Sequence, residues 1–457
     1  MKNRKIEIPF TNLILTGLFA WFVSMYFGET MSFWLNFTFL INGVAILLSL
    51  FTAVKRRAFS FEMVHGIFLG LFLWVAPVIQ RVLKVSLWGV RLSDTECIWA
   101  NLLIFCWICA FALGQKLGKD KSFKVIRKSV NMPDWVYYAM FALTVGITLF
   151  MIYGQGIDGL IDEGGSIFAP FTESQTLIML GEKVVTGVVL VSCLFIIRRW
   201  RADKKWWIVL VFLCLVCLVL THFPTAISRY AAGSIYLCIL MNIFSVSKKK
   251  PLFFWVFSLA MIFMFPVFDL YRYVSLGNVS LGEIVKQLFS VERYFASGNY
   301  DAYTVICACF RYLVNCGHTF GRQLIGALIF FIPRAVWPDK PVSSGMEIAH
   351  SLGFTFDNIS APLPMEMFID FGIIGMIILG VAVGYFLRRV DNSYWQNEDP
   401  KRNSYIDIVY CYAVPFFLFL CRGALLSTWA ILSAILAVAV IPMLFCWLLG
   451  RFGYKKK

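Results

Sequence analysis

Charge is scarce in this chain, and acid is scarcer than base: 15% of its 457 residues are Asp, Glu, Lys or Arg, with 26 acidic against 41 basic. Only four histidines occur, none in an HExxH pattern. There is no DxD motif, no nucleotide-binding glycine loop and no Cys/His cluster at metal-ligand spacing. These absences argue against a metal-dependent hydrolase or a nucleotide-sugar enzyme, and they imply neither a metal nor a cofactor. No internal repeat and no low-complexity tract divides the chain, so residues 1–457 read as a single integral membrane domain.

Apolar residues fill the space that charge leaves, at 60% of the chain. A composition of this kind belongs to an all-α polytopic membrane protein. Most of the 13 cysteines lie inside apolar runs. Cys106/Cys109 and Cys214/Cys217, although spaced as CxxC, therefore read as small apolar filler. Cys307, Cys309 and Cys316 fall in a polar stretch, where pairing stays open.

Windows of roughly 20 apolar residues, the length that crosses a bilayer, mark spans near 9–27, 31–53, 61–80, 96–115, 134–154, 177–197, 206–223, 229–246, 251–270, 366–387, 405–421 and 425–448. The expected count is therefore about 12, within a range of 10–14. The first run follows Met1–Lys5 and reads as a retained signal-anchor. The net charge of +15 superficially suits a nucleic-acid partner, but its distribution does not. Lys and Arg collect at 2–5, 55–57, 116–128, 198–205, 248–250, 388–402 and 451–457, which all fall on one side if the N-terminus is cytoplasmic. The positive-inside rule then puts both termini in the cytoplasm and makes a lipid bilayer, not nucleic acid, the partner.

On the other side the turns are short, except for one long extracytoplasmic loop, 271–365, between the ninth and tenth spans. Its apolar pieces 302–315 and 323–332 are too short to cross and suit interfacial or re-entrant helices. Arg229, Arg272, Arg293, Arg311, Arg322, Arg334, Lys340 and Arg422 cluster in this loop and in the neighbouring outer turns. Cations at a membrane surface need a counter-charge or water. Arg81, Lys84 and Arg91 have Asp94 and Glu96 beside them, and Lys183 follows Glu182. Arg334 is wedged between prolines in IPRAVWP, which restrict the backbone around it. Arginine forks and a lysine around one cavity suit a diphosphate, and would stabilise charge on a departing one.

Chemistry at such a site also needs a base. His318 lies between glycines in NCGHTFG, and an imidazole titrates near neutrality. Glu366 and Asp370 are four residues apart, on one helix face at the outer end of a span, where carboxylates also serve as caps. His65 and His222 lie on apolar stretches and read as packed side chains.

The run Phe331–Pro341, followed by Gly345, Ile348-Ala349, Asn358–Pro362 and Glu366 to Phe371-Gly372, resembles the loop signature of Wzy-type O-antigen or oligosaccharide repeat-unit polymerases. Segments 61–80 and 223–233 resemble the same family, and Arg334 with Gly345 fits its Arg-x10-Gly pattern. The resemblance implies a glycosyltransferase of the bacterial cytoplasmic membrane, with its site on the extracytoplasmic side. It would transfer a growing glycan from undecaprenyl pyrophosphate to a new lipid-linked repeat unit, alongside a flippase and a chain-length regulator of the same pathway. Arg229, Arg272 and Arg334 would then hold the donor diphosphate with Lys340 assisting, and His318 or Glu366 would deprotonate the acceptor hydroxyl. An O-antigen ligase with the same donor is the nearest alternative. A polysaccharide flippase or other transporter is a second, although transport predicts charge buried near the bilayer midplane.

Overall fold

The computed structural model describes residues 31–57, 59–123, 132–161, 175–203, 206–244, 252–264, 294–396 and 405–451, together with a few isolated positions between them. Among the described residues there are helices and no strands. Seven helices are long and apolar enough to cross a membrane: α1 (Phe33–Arg56), α2 (Phe61–Val82), α3 (Asp94–Leu117), α4 (Asp134–Ile161), α5 (Gln175–Asp203, spanning from Leu180), α12 (Leu363–Trp395) and α14 (Leu425–Arg451, spanning to Pro442). Between α5 and α12 come the shorter helices α6 (Trp207–Thr221), α7 (Arg229–Phe244), α8 (Leu252–Leu259), α9 (Ala302–Cys316), α10 (Arg322–Leu328) and α11 (Ser344–Ser351), and α13 (Tyr405–Arg422) precedes α14.

The protein is thus helical and built for a membrane. Of the twelve expected spans, seven coincide with helices of spanning length. The expected span at 9–27 lies outside the described residues. The expected spans at 206–223 and 229–246 are helices of 15 and 16 residues, and 251–270 is described as α8 continuing in a π-helical turn to Met264. The span expected at 405–421 is α13, which carries Asp407 and Pro415.

Local sequence accounts for the element boundaries. The Ser60 hydroxyl accepts from the Met63 amide at the start of α2, and Ser93 and Glu96 form a reciprocal capping box at the start of α3; both arrangements satisfy amides that have no helical partner. Inside α2, Pro77 offers no N–H to the Leu73 carbonyl, and a π-helical turn over Leu71–Val75 takes up the interruption.

The tightest packing is between α3 and α12, and small residues make it possible. A Cβ added at Gly114 would stand 2.1 Å from the Val381 carbonyl oxygen, and one at Gly384 would stand 2.3 Å from that of Phe111. Gly380 on α12 meets Ala110, Gly384 meets the Phe111 backbone, and Gly114 on α3 meets the backbone of Val381 and Tyr385, so small residues at four-residue spacing let two membrane helices approach backbone to backbone. At the basic end of the bundle, Arg56 pairs with Glu62 at 2.7 Å, Arg57 with Asp391 at 3.6 Å, and Tyr410 donates to Asp391 at 2.6 Å. These contacts tie the 55–57 turn to α12 and α13. The opposite end, here called the loop end, carries α9–α11 and the segments joining them.

Candidate functional site

The site begins with a break in α12. Gly372 has φ 66° and ψ −168°, a backbone conformation open essentially only to glycine. The kink takes the Ile369 carbonyl out of the helical ladder, and two groups from the loop claim it: the Thr319 amide at 3.1 Å and His318 Nδ1, also at 3.1 Å. A carbonyl accepts and never donates, so Nδ1 carries the hydrogen. The lone pair of the neutral imidazole is therefore on Nε2, next to Gly372. His318 itself is exposed. Its ring stands edge-on to Phe368, with ring centres 5.8 Å apart.

The two carboxylates beside it have other partners. Asp370, fully buried, accepts from the Thr319 hydroxyl at 2.5 Å, the Gln323 amide at 3.1 Å and the Leu324 amide at 2.8 Å. It caps α10 from across the fold. Glu366 is 3% exposed; its Oε1 accepts from the Ser344 hydroxyl at 3.0 Å and its Oε2 from the Leu425 amide at 2.9 Å. Both lie on one face of α12, and each meets the N-terminus of a different helix, where orphan amides favour a carboxylate. Glu366 is built as a brace between α11, α12 and α14.

The cations sort into two groups. Arg322 Nη2 donates to the Asp339 carbonyl and Arg334 Nη1 to that of Lys340, each at 2.8 Å. Since these carbonyls belong to consecutive residues, two exposed guanidinium groups converge on one corner of the 329–341 strap, with donors to spare. Lys340 faces the other way. It is 8% exposed and its ammonium donates to the Phe330 and Ile332 carbonyls. Burial first, and then the neighbouring Arg334 charge, lower its pKa. Lys340 staples the strap on which Arg334 is carried. Arg229 belongs to a second cluster: it donates to Asn299, while Arg422 pairs with Asp301 at 2.8 Å, donates to the Gly298 and Asn299 carbonyls and lies over the Tyr230 ring. Arg272 lies outside the described residues, as does Arg293.

In the 81–96 turn, one carboxylate takes its partner from the turn itself, as the spacing suggests, and the other takes it from α9. Arg81 pairs with Asp94, and Arg311 with Glu96 at 2.5 Å. Gly345, the glycine of the Arg-x10-Gly pattern, serves packing: a Cβ there would stand 2.8 Å from the Ile359 carbonyl oxygen and 3.1 Å from that of Ser360. That close approach places Ser360 against Asp301, which accepts from its amide at 2.8 Å and from its hydroxyl.

The short apolar pieces take up different positions. Helix α9 buries most of its length, whereas α10 and the strap turn apolar side chains outward: Phe320 is 84% and Val336 75% exposed, with Ile325, Leu328 and Phe331 beside them in sequence. The residue that sequence reasoning left without a role is Arg322. Its signal was its position, four residues beyond His318 in the same polar stretch. Among the described residues no group of three or more His, Cys, Asp or Glu stands at metal-binding distance. The chain matches no protein-family model, no curated protein and no solved structure.

Proposed function

We propose that this chain is a membrane glycosyltransferase that polymerises lipid-linked oligosaccharide repeat units on the extracytoplasmic face of the bacterial cytoplasmic membrane. The observation that carries the reading is the loop-end corner itself. An exposed imidazole with its Nδ1 tied to Ile369 lies four residues before Arg322, whose exposed guanidinium group meets the same strap corner as that of Arg334, on a segment fringed by exposed apolar side chains. Those apolar groups suit the bilayer interface, where a polyprenyl diphosphate presents its phosphates.

In this reading His318 Nε2 takes the proton from the acceptor hydroxyl. The acceptor oxygen forms a bond to the anomeric carbon of the donor glycan as the bond from that carbon to the diphosphate oxygen breaks. The electron pair leaves with the diphosphate, and Arg322 and Arg334 neutralise it. Both oxygens of Glu366 hold helix partners, which favours His318 over Glu366 as the base. Lys340 acts through the strap, as a positioning residue for Arg334. The test is a reaction of the purified full chain in proteoliposomes with an undecaprenyl-diphosphate-linked repeat unit. A ladder of lengthening glycans with release of undecaprenyl diphosphate supports the reading. Unchanged substrate, with a folded protein, overturns it.

A further inference from the structure

Two cavities stacked along one seam remain outside this site. Helices α4, α5 and α14 line both. At the loop end, a cavity of about 130 Å³ is bounded by Gln155 of α4, by Glu182, Lys183 and Thr186 of α5, by His222 and by Ile435 of α14. Toward the basic end, a cleft of about 250 Å³ runs between Ala139 and Leu143 of α4, Val188 and Ser192 of α5, and Val438 and Pro442 of α14. Between the two stands Gly187, where a Cβ would meet the Ile435 side chain at 2.9 Å and Val438 at 3.6 Å. The seam therefore carries its polar groups above and is apolar below, with the contact at Gly187 standing between the two.

The dimensions fit one leaflet. From Lys183 to Ser192 the helical rise is about 14 Å, close to half of the roughly 30 Å hydrocarbon core. The lower cleft opens sideways, since Ala139, Leu143 and Ile441 are exposed. The upper cavity offers room on the scale of about four waters, enough for a compact polar headgroup and too little for an oligosaccharide. It presents one cation and one anion, from consecutive residues on α5. Among the described residues neither Glu182 nor Lys183 is engaged in a side-chain hydrogen bond or an ion pair. Lys183 and Glu182 feel each other's charge, but with no hydrogen bond between them both keep donor or acceptor capacity for a ligand.

We propose that the seam binds a zwitterionic lipid whose headgroup carries a phosphate and a primary ammonium, with the phosphate on Lys183, the ammonium on Glu182 and one hydrocarbon chain in the cleft below. A phosphoethanolamine lipid has this chemistry. A phosphocholine lipid has the same net charge but no ammonium N–H to donate to Glu182, and a phosphoglycerol lipid lacks the cation altogether. The site goes beyond the polymerase reading and is distinct from the Arg322–Arg334 corner.

The experiment is native mass spectrometry of the full chain purified in detergent. It is presented with equimolar dioleoyl phosphatidylethanolamine, phosphatidylcholine, phosphatidylglycerol and diacylglycerol. One phosphatidylethanolamine should be retained in preference to each of the others by about tenfold, the worth of one charge-assisted hydrogen bond. Glu182→Ala and Ala139→Trp should each abolish that preference, the first by removing the acceptor for the ammonium and the second by filling the open cleft from an exposed position. Arg334→Ala should keep it. Equal retention of all four lipids would mean bulk boundary lipid only and would overturn the proposal, as would an undiminished preference in both seam variants. Because the readout is lipid retention and not glycan extension, this site and the polymerase reading can fail independently.

Discussion

Replacing Gly372 by alanine tests whether the kink in α12 is what arms His318. The added methyl would meet only His318 Nε2 at 3.6 Å and its Cε1 at 3.7 Å, which is ordinary contact. The effect therefore comes from the backbone. At φ 66° and ψ −168°, a non-glycine residue that keeps the kink costs of order 1–3 kcal/mol. If the helix straightens instead, the Ile369 carbonyl returns to the helical ladder, and His318 Nδ1 and the Thr319 amide lose their acceptor. At about 0.5–1.5 kcal/mol net per hydrogen bond, that route costs about 1–3 kcal/mol as well. Either way stability falls, and on the second route the imidazole also loses the contact that fixes its tautomer. The assay pairs glycan extension in proteoliposomes with thermal unfolding of the same preparation. Gly353→Ala is the control: Gly353 also has a positive φ, 73°, with open space around it and no tie to His318. Gly372→Ala should lose both stability and extension, and Gly353→Ala stability alone. Wild-type extension in Gly372→Ala, or an equal loss in Gly353→Ala, refutes the reasoning.

Removing the base, His318→Ala, should slow extension by about 10²–10⁴-fold, the usual worth of a general base, read as the initial rate at saturating substrate. Arg322→Ala and Arg334→Ala should each depress extension at normal membrane abundance, and Arg334→Lys should fail to restore it, because an ammonium cannot replace a bidentate fork; full activity in the lysine variant would count against a diphosphate contact there. Lys340→Met should cost about 1–3 kcal/mol by leaving two carbonyls without a donor. The folded-state pKa of Lys340 is lowered, so between that value and its ordinary one the unfolded chain binds more protons than the folded chain. Stability should therefore rise with pH across that interval, and this rise should be missing from the melting profile of Lys340→Met.

Membrane character was legible in composition because hydropathy integrates over many residues, and α1, α3 and α12 begin or end within a few residues of the windows that mark them. The 15- and 16-residue helices α6 and α7 show where hydropathy alone does not fix a span. Arg81 with Asp94 could be read from proximity in the sequence. The partners of Glu366 and Asp370 could not, because Leu425, Ser344, Gln323 and Leu324 are brought there by tertiary packing. Lys340 illustrates the same limit. Its type and its place beside Arg334 suggest an anion ligand, but which way its side chain turns depends on the strap's fold, and it turns inward to two carbonyls. Arg322 went without a role because no local pattern tells that its guanidinium group and that of Arg334 meet consecutive carbonyls. Gly372 stood in a recognised run of residues, yet only its backbone angles reveal that it releases a carbonyl for His318.

Repeat-unit polymerisation is best checked by deleting the gene and resolving the surface polysaccharide by length. Single repeat units should remain attached to their normal acceptor, with longer chains restored by the wild-type gene and not by His318→Ala. Long chains stranded on the lipid carrier, which a missing ligase would leave, or an unchanged length distribution, would contradict it.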